Sequence, residues 1–363
     1  MMTTRIGGAL AAAAVLLLAA CAPATTDGGP QSTVSVAAPS PSATAPSLPP
    51  APEDPRPEMT WPLTGLDSSG ISAAKQDRPA LAIKIENSAA ARPQENLDKA
   101  DVVFEEYVEG GISRLVAVFH SNFPESVGPI RSMRPMDKNI MGSFGGPLVF
   151  SGAQGRFISA ARDSGQLLLA QDVGSYGFYR SSARSAPHNL YGYPAKFQEQ
   201  ASKLSAPREQ WAFAYPDETA TAQATGKPVS KIDIDMSRYS DPGWRWSASE
   251  GVWLRIEAGS PHVTSAGTQL SATNVVILSV TVQYTSNKGG SSVPETIING
   301  QSGDGFLVSG DSMVPIRWSK AGQYKNWELT TTGGDPVSLI PGQTWFELVP
   351  NKGVGHSTSI DIS

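Results

Sequence analysis

The chain has 363 residues, a net charge of −5 and a single cysteine, Cys21. The acidic balance speaks against a nucleic-acid binder, which carries a basic surplus. One cysteine excludes an internal disulfide framework, a thiolate zinc site and, beyond residue 21, a catalytic thiol.

Arg5 precedes a short apolar run, Ala9–Ala20, and small residues at Ala19 and Ala20 stand before Cys21. The run is shorter than the roughly 20 apolar residues that span a bilayer. It predicts a cleaved secretory signal over residues 1–20. The Leu18-Ala19-Ala20-Cys21 sequence has the form of a lipobox, so Cys21 is expected to carry thioether-linked diacylglycerol and a further acyl chain such as palmitate. The expected location is the outer face of the cell membrane, with the anchor as membrane partner. Residues 21–58 contain Pro39, Pro41, Pro46, Pro49, Pro50, Pro52, Pro55 and Pro57 and few large apolar side chains. That composition predicts a flexible, partly polyproline-like tether.

Large apolar residues return at Trp61, and all eight tryptophans lie there or beyond. About 300 residues exceed one small core, so two domains are expected. Residues 205–230, with Pro207, Pro216, Gly226 and Pro228, supply the boundary, giving domains over 61–205 and 230–363. In the first, strands are predicted at Leu81–Ile85, Asp101–Glu109, Ser113–His120 and Leu148–Phe150, with helices at Arg156–Asp163 and Ala195–Leu204. The second reads as nearly all strand: Val252–Glu257, Asn274–Tyr284, Glu295–Ile298, Phe306–Val308, Met313–Trp318, Trp327–Thr331 and Thr344–Val349. Ser302-Gly303-Asp304-Gly305 and Gly333-Gly334-Asp335-Pro336 read as turns. The class is α+β: a mixed N-terminal domain, then a mostly antiparallel, sandwich- or barrel-like C-terminal domain.

Charge on apolar strands marks the candidate site. A two-residue turn at Gly110-Gly111 would place Tyr107 opposite Arg114 and Glu105 opposite Val116. Arg114 would then lie between Glu105 and Glu109, as a structural ion-pair knot or as part of a polar cleft. Arg131 and Arg134 emerge from Gly128-Pro129-Ile130-Arg131-Ser132-Met133-Arg134-Pro135, and guanidinium forks suit carboxylate or phosphate. His188 and Asn189 follow Ala186-Pro187 and form a third candidate. His120, His262 and His356 have no metal-ligand spacing with His188, so no metal is expected, and no cofactor motif occurs. There is no G-x-S-x-G elbow, P-loop or H-E-x-x-H.

Pro62-Leu63-Thr64-Gly65-Leu66, Ala91-Arg92-Pro93-Gln94, Val108-Glu109-Gly110-Gly111-Ile112-Ser113-Arg114, Gly128-Pro129-Ile130-Arg131-Ser132 and Ala186-Pro187-His188-Asn189-Leu190-Tyr191 carry a resemblance. With Asn274-Val275-Val276 and Pro341-Gly342-Gln343-Thr344-Trp345 they resemble the YerB-like lipoproteins, domain of unknown function 3048, from about Trp61 to the end. The resemblance implies a lipoprotein with a two-part body and supplies no activity. Two readings follow. One is a non-enzymatic module whose Arg92, Arg114, Arg131, Arg134, His188 and Asn189 bind an anionic envelope ligand or a protein partner. The other is a hydrolase or transferase on envelope polymers, with Glu105, Glu109 and His188 as acid–base candidates. A scaffold for membrane proteins is the remaining alternative.

Overall fold

The computed structural model describes residues 56–288 and 290–363; Cys21, the leader and nearly all of the tether lie outside the described residues. No described helix is long and apolar enough to cross a membrane.

The first half supplies strands β1 (Leu81–Glu86), β2 (Val102–Val108), β3 (Ile112–Phe119), β4 (Leu148–Phe150) and β5 (Leu168–Ala170), and helices α1 (Gly155–Asp163) and α2 (Pro194–Gln200). The second half supplies β6 (Lys231–Asp235), β7 (Pro242–Ser247), β8 (Val252–Glu257), β9 (Asn274–Tyr284), β10 (Gln301–Ser309), β11 (Ser312–Lys320), β12 (Glu328–Thr331), β13 (Thr344–Lys352) and β14 (Ser359–Ile362).

The class is α+β, built on a large mixed sheet ordered β12-β11-β10-β9-β13-β2-β3-β1-β4-β5. Strand β13 sits between the halves, parallel to β2 (Val102↔Thr344) and to β9 (Asn274↔Thr344). Chain from both sides of residues 205–230 therefore shares one sheet. A smaller antiparallel sheet, β8-β7-β6-β14, belongs wholly to the second half. The connecting stretch 205–230 is itself packed: Trp211, Phe213 and Ala222 are buried.

Each face of the large sheet carries its own core. Phe104, Val116, Phe144, Trp211, Trp327 and Phe346 fill one face, where α1 adds Phe157, Ile158 and Ala161. Val103, Leu115 and Ala117 on the other meet Ile232, Ile234, Trp244 and Trp253 of the small sheet. Burial on both faces explains why β1, β2 and β4 lack an apolar–polar alternation.

Three expectations are corrected. The β2–β3 connection uses three residues, Glu109–Gly111, because Val108 pairs with Ile112. Glu106, not Tyr107, therefore faces Arg114, and Glu105 faces Leu115. A one-residue change of register moves each side chain to the opposite face, so Arg114 does not lie between Glu105 and Glu109. Ser302–Gly305 is strand: a Cβ at Gly305 would stand 2.4 Å from the Ile277 carbonyl oxygen, and glycine permits that approach. Helix α2 ends at Gln200 rather than Leu204.

Candidate functional site

The site begins with strand register. Glu86 of β1 and Glu106 of β2 both pair with Arg114 of the intervening β3. Residues 128–135 then run beside β1, with the Arg131 N–H donating to the Lys84 carbonyl at 2.8 Å. Gly128 makes this possible, since a Cβ there would meet the Tyr191 ring at 2.6 Å. The loop brings Arg131 Nε to 3.2 Å from Glu86 Oε2, and the 181–189 segment brings His188 Nδ1 to 2.9 Å from Glu86 Oε1. Arg134 clasps Glu109 with two donors, Nε at 2.6 Å from Oε2 and Nη2 in contact with Oε1. Burial pushes the Glu109 carboxyl up, but the Arg134 hydrogen bonds and charge outweigh it and hold it below its ordinary value.

Arg114 lies among these groups and is 6% exposed. Its Nη1 donates to the Ser132 carbonyl at 3.2 Å, while its Nε has no hydrogen-bond partner among the described residues. Burial, then the nearby Arg134, push the guanidinium down to about 10, with Arg131 acting in the same sense. Three guanidiniums, those of Arg114, Arg131 and Arg134, thus stand close to the Glu86 and Glu109 carboxylates. Next to them is a recess of about 360 Å³ lined by Glu109, Ser132, Arg134, Gln154, Phe157 and Asp172. Guanidinium forks suit an anionic oxygen group better than proton transfer, because each offers two parallel donors and none gives up its proton readily.

The remaining candidates lie apart. Glu105 is fully buried on the opposite face of the sheet, in contact with Arg255 of β8 and Ser113, with Asn87 Nδ2 at 3.1 Å. Arg255 also reaches Glu347 at 2.7 Å and Glu257 at 3.1 Å, and its guanidinium lies 4.4 Å from the Trp345 ring centroid. Its Nε donates to His262 Nδ1 at 3.2 Å, so His262 Nε2 carries the proton given to Gln94 Oε1 at 2.8 Å. Burial, then Arg255, hold that imidazole neutral, well below its ordinary value. Burial raises Glu105 to about 7 despite Arg255. The network joins the two sheets, with Glu105, Arg255 and Glu347 fully buried. Arg92 pairs with Glu257 at 3.0 Å and lines a separate recess of about 340 Å³ with His262 and Ser260. Asn189 accepts from Arg180 at 2.8 Å and donates to the Ser181 carbonyl at 3.1 Å, holding its own loop together.

Sequence reasoning missed Glu86, Arg255, Glu257 and Glu347. Their signal was present as a charge inside an apolar strand, in Ile85-Glu86, Trp253-Leu254-Arg255-Ile256-Glu257 and Trp345-Phe346-Glu347-Leu348.

The model for the "Protein of unknown function (DUF3048) N-terminal domain" matches residues 63–207, and that for its C-terminal domain matches residues 232–346. The chain belongs to this family. A relative, "Putative lipoprotein YerB" of Bacillus subtilis (strain 168), is 26% identical over 311 residues, covering 81% of this chain and 87% of the relative. The crystal structure of the YerB protein from Bacillus subtilis matches with a TM-score of 0.70 at 21% identity, over 84% of this chain and 100% of that one. This likeness shows that the two chains share a fold.

Proposed function

We propose that this DUF3048 protein is an extracytoplasmic lipoprotein, anchored through Cys21, whose body binds an anionic ligand of the cell envelope without transforming it. The observation that supports the binding role is the buried Arg114, whose Nε has no hydrogen-bond partner among the described residues, beside Arg131, Arg134 and His188. A buried guanidinium lacking a full set of acceptors is costly, and a phosphate or carboxylate entering beside it would supply them. The anchoring role is supported by the leader ending at Cys21 and by the lipoprotein name of the relative. The hydrolase or transferase reading draws less support, because Glu105 is enclosed and Glu109 is held by Arg134.

Calorimetric titration with a synthetic oligo(glycerol phosphate), against a neutral glycan of equal length, tests the binding role. Saturable heat with the anionic probe is expected, weakening as salt rises. Loss of roughly tenfold or more in affinity is expected for Arg131→Ala with Arg134→Ala, since hydrogen bonds to charged groups contribute about 1.5–3 kcal/mol each. Equal binding by wild type and the double variant would refute the site. Labelling cells with a fatty-acid probe tests the anchor: wild type should be labelled and Cys21→Ser unlabelled.

A further inference from the structure

Lys84, Glu106 and Asp137 form a second ionic cluster, each with 0% exposure. Lys84 lies on β1 and Glu106 on β2, on one face of the sheet, with β3 between them. Asp137 opens the short helix Asp137–Met141, which follows the arginine-bearing loop. Their neighbours Ala82, Phe104, Val116, Met133, Met136 and Ile140 all belong to the apolar core on that face.

The geometry has three features. Lys84 Nζ is 2.8 Å from Asp137 Oδ1 and in contact with Glu106 Oε1. The other Asp137 oxygen, Oδ2, accepts the Arg134 backbone N–H at 2.6 Å, which draws electron density from the carboxyl carbon. Glu106 Oε1 is in contact with Lys84 Nζ, and its Oε2 has no hydrogen-bond partner among the described residues. Burial, and then the Asp137 charge, raise the Glu106 carboxyl above its ordinary value, so it can hold a proton here. A solvated ion pair gains nothing from losing its charge. This cluster is sealed from water, and converting it to a neutral amide removes the desolvation penalty of two ions.

We propose that Lys84 and Asp137 are joined by an intramolecular isopeptide bond, formed autocatalytically with Glu106 as the proton shuttle. The Lys84 ammonium passes one proton to Asp137 Oδ1, 2.8 Å away, and the freed amine lone pair attacks Cγ. The Arg134 N–H stabilises the developing oxyanion on Oδ2. Glu106 removes the second amine proton as the C–N bond forms and delivers a proton to the departing hydroxyl. The Cγ–Oδ1 bond breaks and one water leaves. An amine and a carboxylic acid become an amide and water, with no change of oxidation state and no co-reactant. The cross-link closes a loop containing β2, β3 and the arginine-bearing segment, in a body that has no cysteine beyond residue 21 to make a disulfide.

Tryptic peptide mapping by mass spectrometry, on the full-length protein purified from membranes and denatured, decides the matter. The expected result is a branched peptide containing Lys84 and Asp137, lighter than its two arms by one water, with no cleavage after Lys84. Glu106→Gln, nearly isosteric, should yield the two linear peptides and melt roughly 5–15 °C lower, the scale of losing one covalent loop closure. A linear peptide ending at Lys84 in the wild type would overturn the proposal. So would a branch at Glu106, or a cross-link that persists in Glu106→Gln. The wild-type reading does not depend on any variant folding.

Discussion

Single side chains inside this protein act through what they neutralise. Arg255 is ion-paired with Glu105, Glu257 and Glu347 at once, and among the described residues only Glu257 of the three has a second cation partner, Arg92. Arg255→Met is expected to destabilise the fold by about 3–5 kcal/mol, because removing one partner strands buried charge. The loss should depend on pH. Burial raises Glu105 to about 7 even with Arg255 present, and without it Glu105 and Glu257 rise further. An acid whose folded-state pKa is raised contributes stability that is full below its unfolded value near 4, and that is lost as pH rises through the folded value. Urea denaturation should therefore show a small gap from wild type at pH 4 and a large one at pH 8; an equal gap at both would contradict the argument. Asp101 is a simpler case. Its carboxylate accepts the backbone N–H groups of His120 at 2.5 Å and Ser121 at 2.8 Å, and also contacts the Ser121 hydroxyl. Asp101→Asn turns one acceptor into a donor facing these groups. A loss of about 1–3 kcal/mol in the same denaturation assay is expected.

At the scale of strands and turns, legibility followed local chemistry. Val252–Glu257, Asn274–Tyr284 and Leu148–Phe150 form as expected because β-branched and aromatic runs favour pleated, packed surfaces. Register was the weak point. Gly110 and Gly111 marked the β2–β3 turn, but nothing in them says whether Glu109 belongs to the strand or the loop, and that choice decides which face Glu105 and Arg114 occupy. Much of the arginine site was visible, since Arg131 and Arg134 share one rigid loop. Glu86, which holds both Arg131 and His188, was not, because that pairing needs β1 to lie beside the loop. Close backbone approach was equally hidden. A Cβ on Gly146, just before β4, would stand 1.7 Å from the Ala80 carbonyl oxygen, which is backbone and has little room to yield. Gly146→Ala should cost about 2–3 kcal/mol, the range of overpacking. Gly145→Ala is strained only through its positive φ of 73°, with open space around it, and should cost about 1–2 kcal/mol. Thermal unfolding of the pair would reverse the ranking if backbone crowding were relieved by a small shift.

Taken as a whole, the molecule poses the question of what its two halves owe each other. Composition divides the chain near residues 205–230, and the family models stop and restart at 207 and 232. The sheet nonetheless runs across that division, because β13 is hydrogen-bonded to β2 on one side and β9 on the other. Such a long-range parallel pairing leaves no mark in local sequence, since it joins residues near 102 to residues near 344. The halves also share charge: Glu105 from the first half meets Arg255 and Glu347 from the second, all fully buried. Residues 61–207 expressed alone would expose β2 as an unpaired edge and leave Glu105 without its cation, two liabilities of known cost. That fragment is expected to be insoluble or to lack a cooperative thermal transition. Co-expression with residues 208–363 should restore a soluble complex that co-purifies and unfolds in one step. A fragment 61–207 that melts cooperatively by itself would show that the first half is an independent folding unit, with β13 and Arg255 as additions rather than requirements.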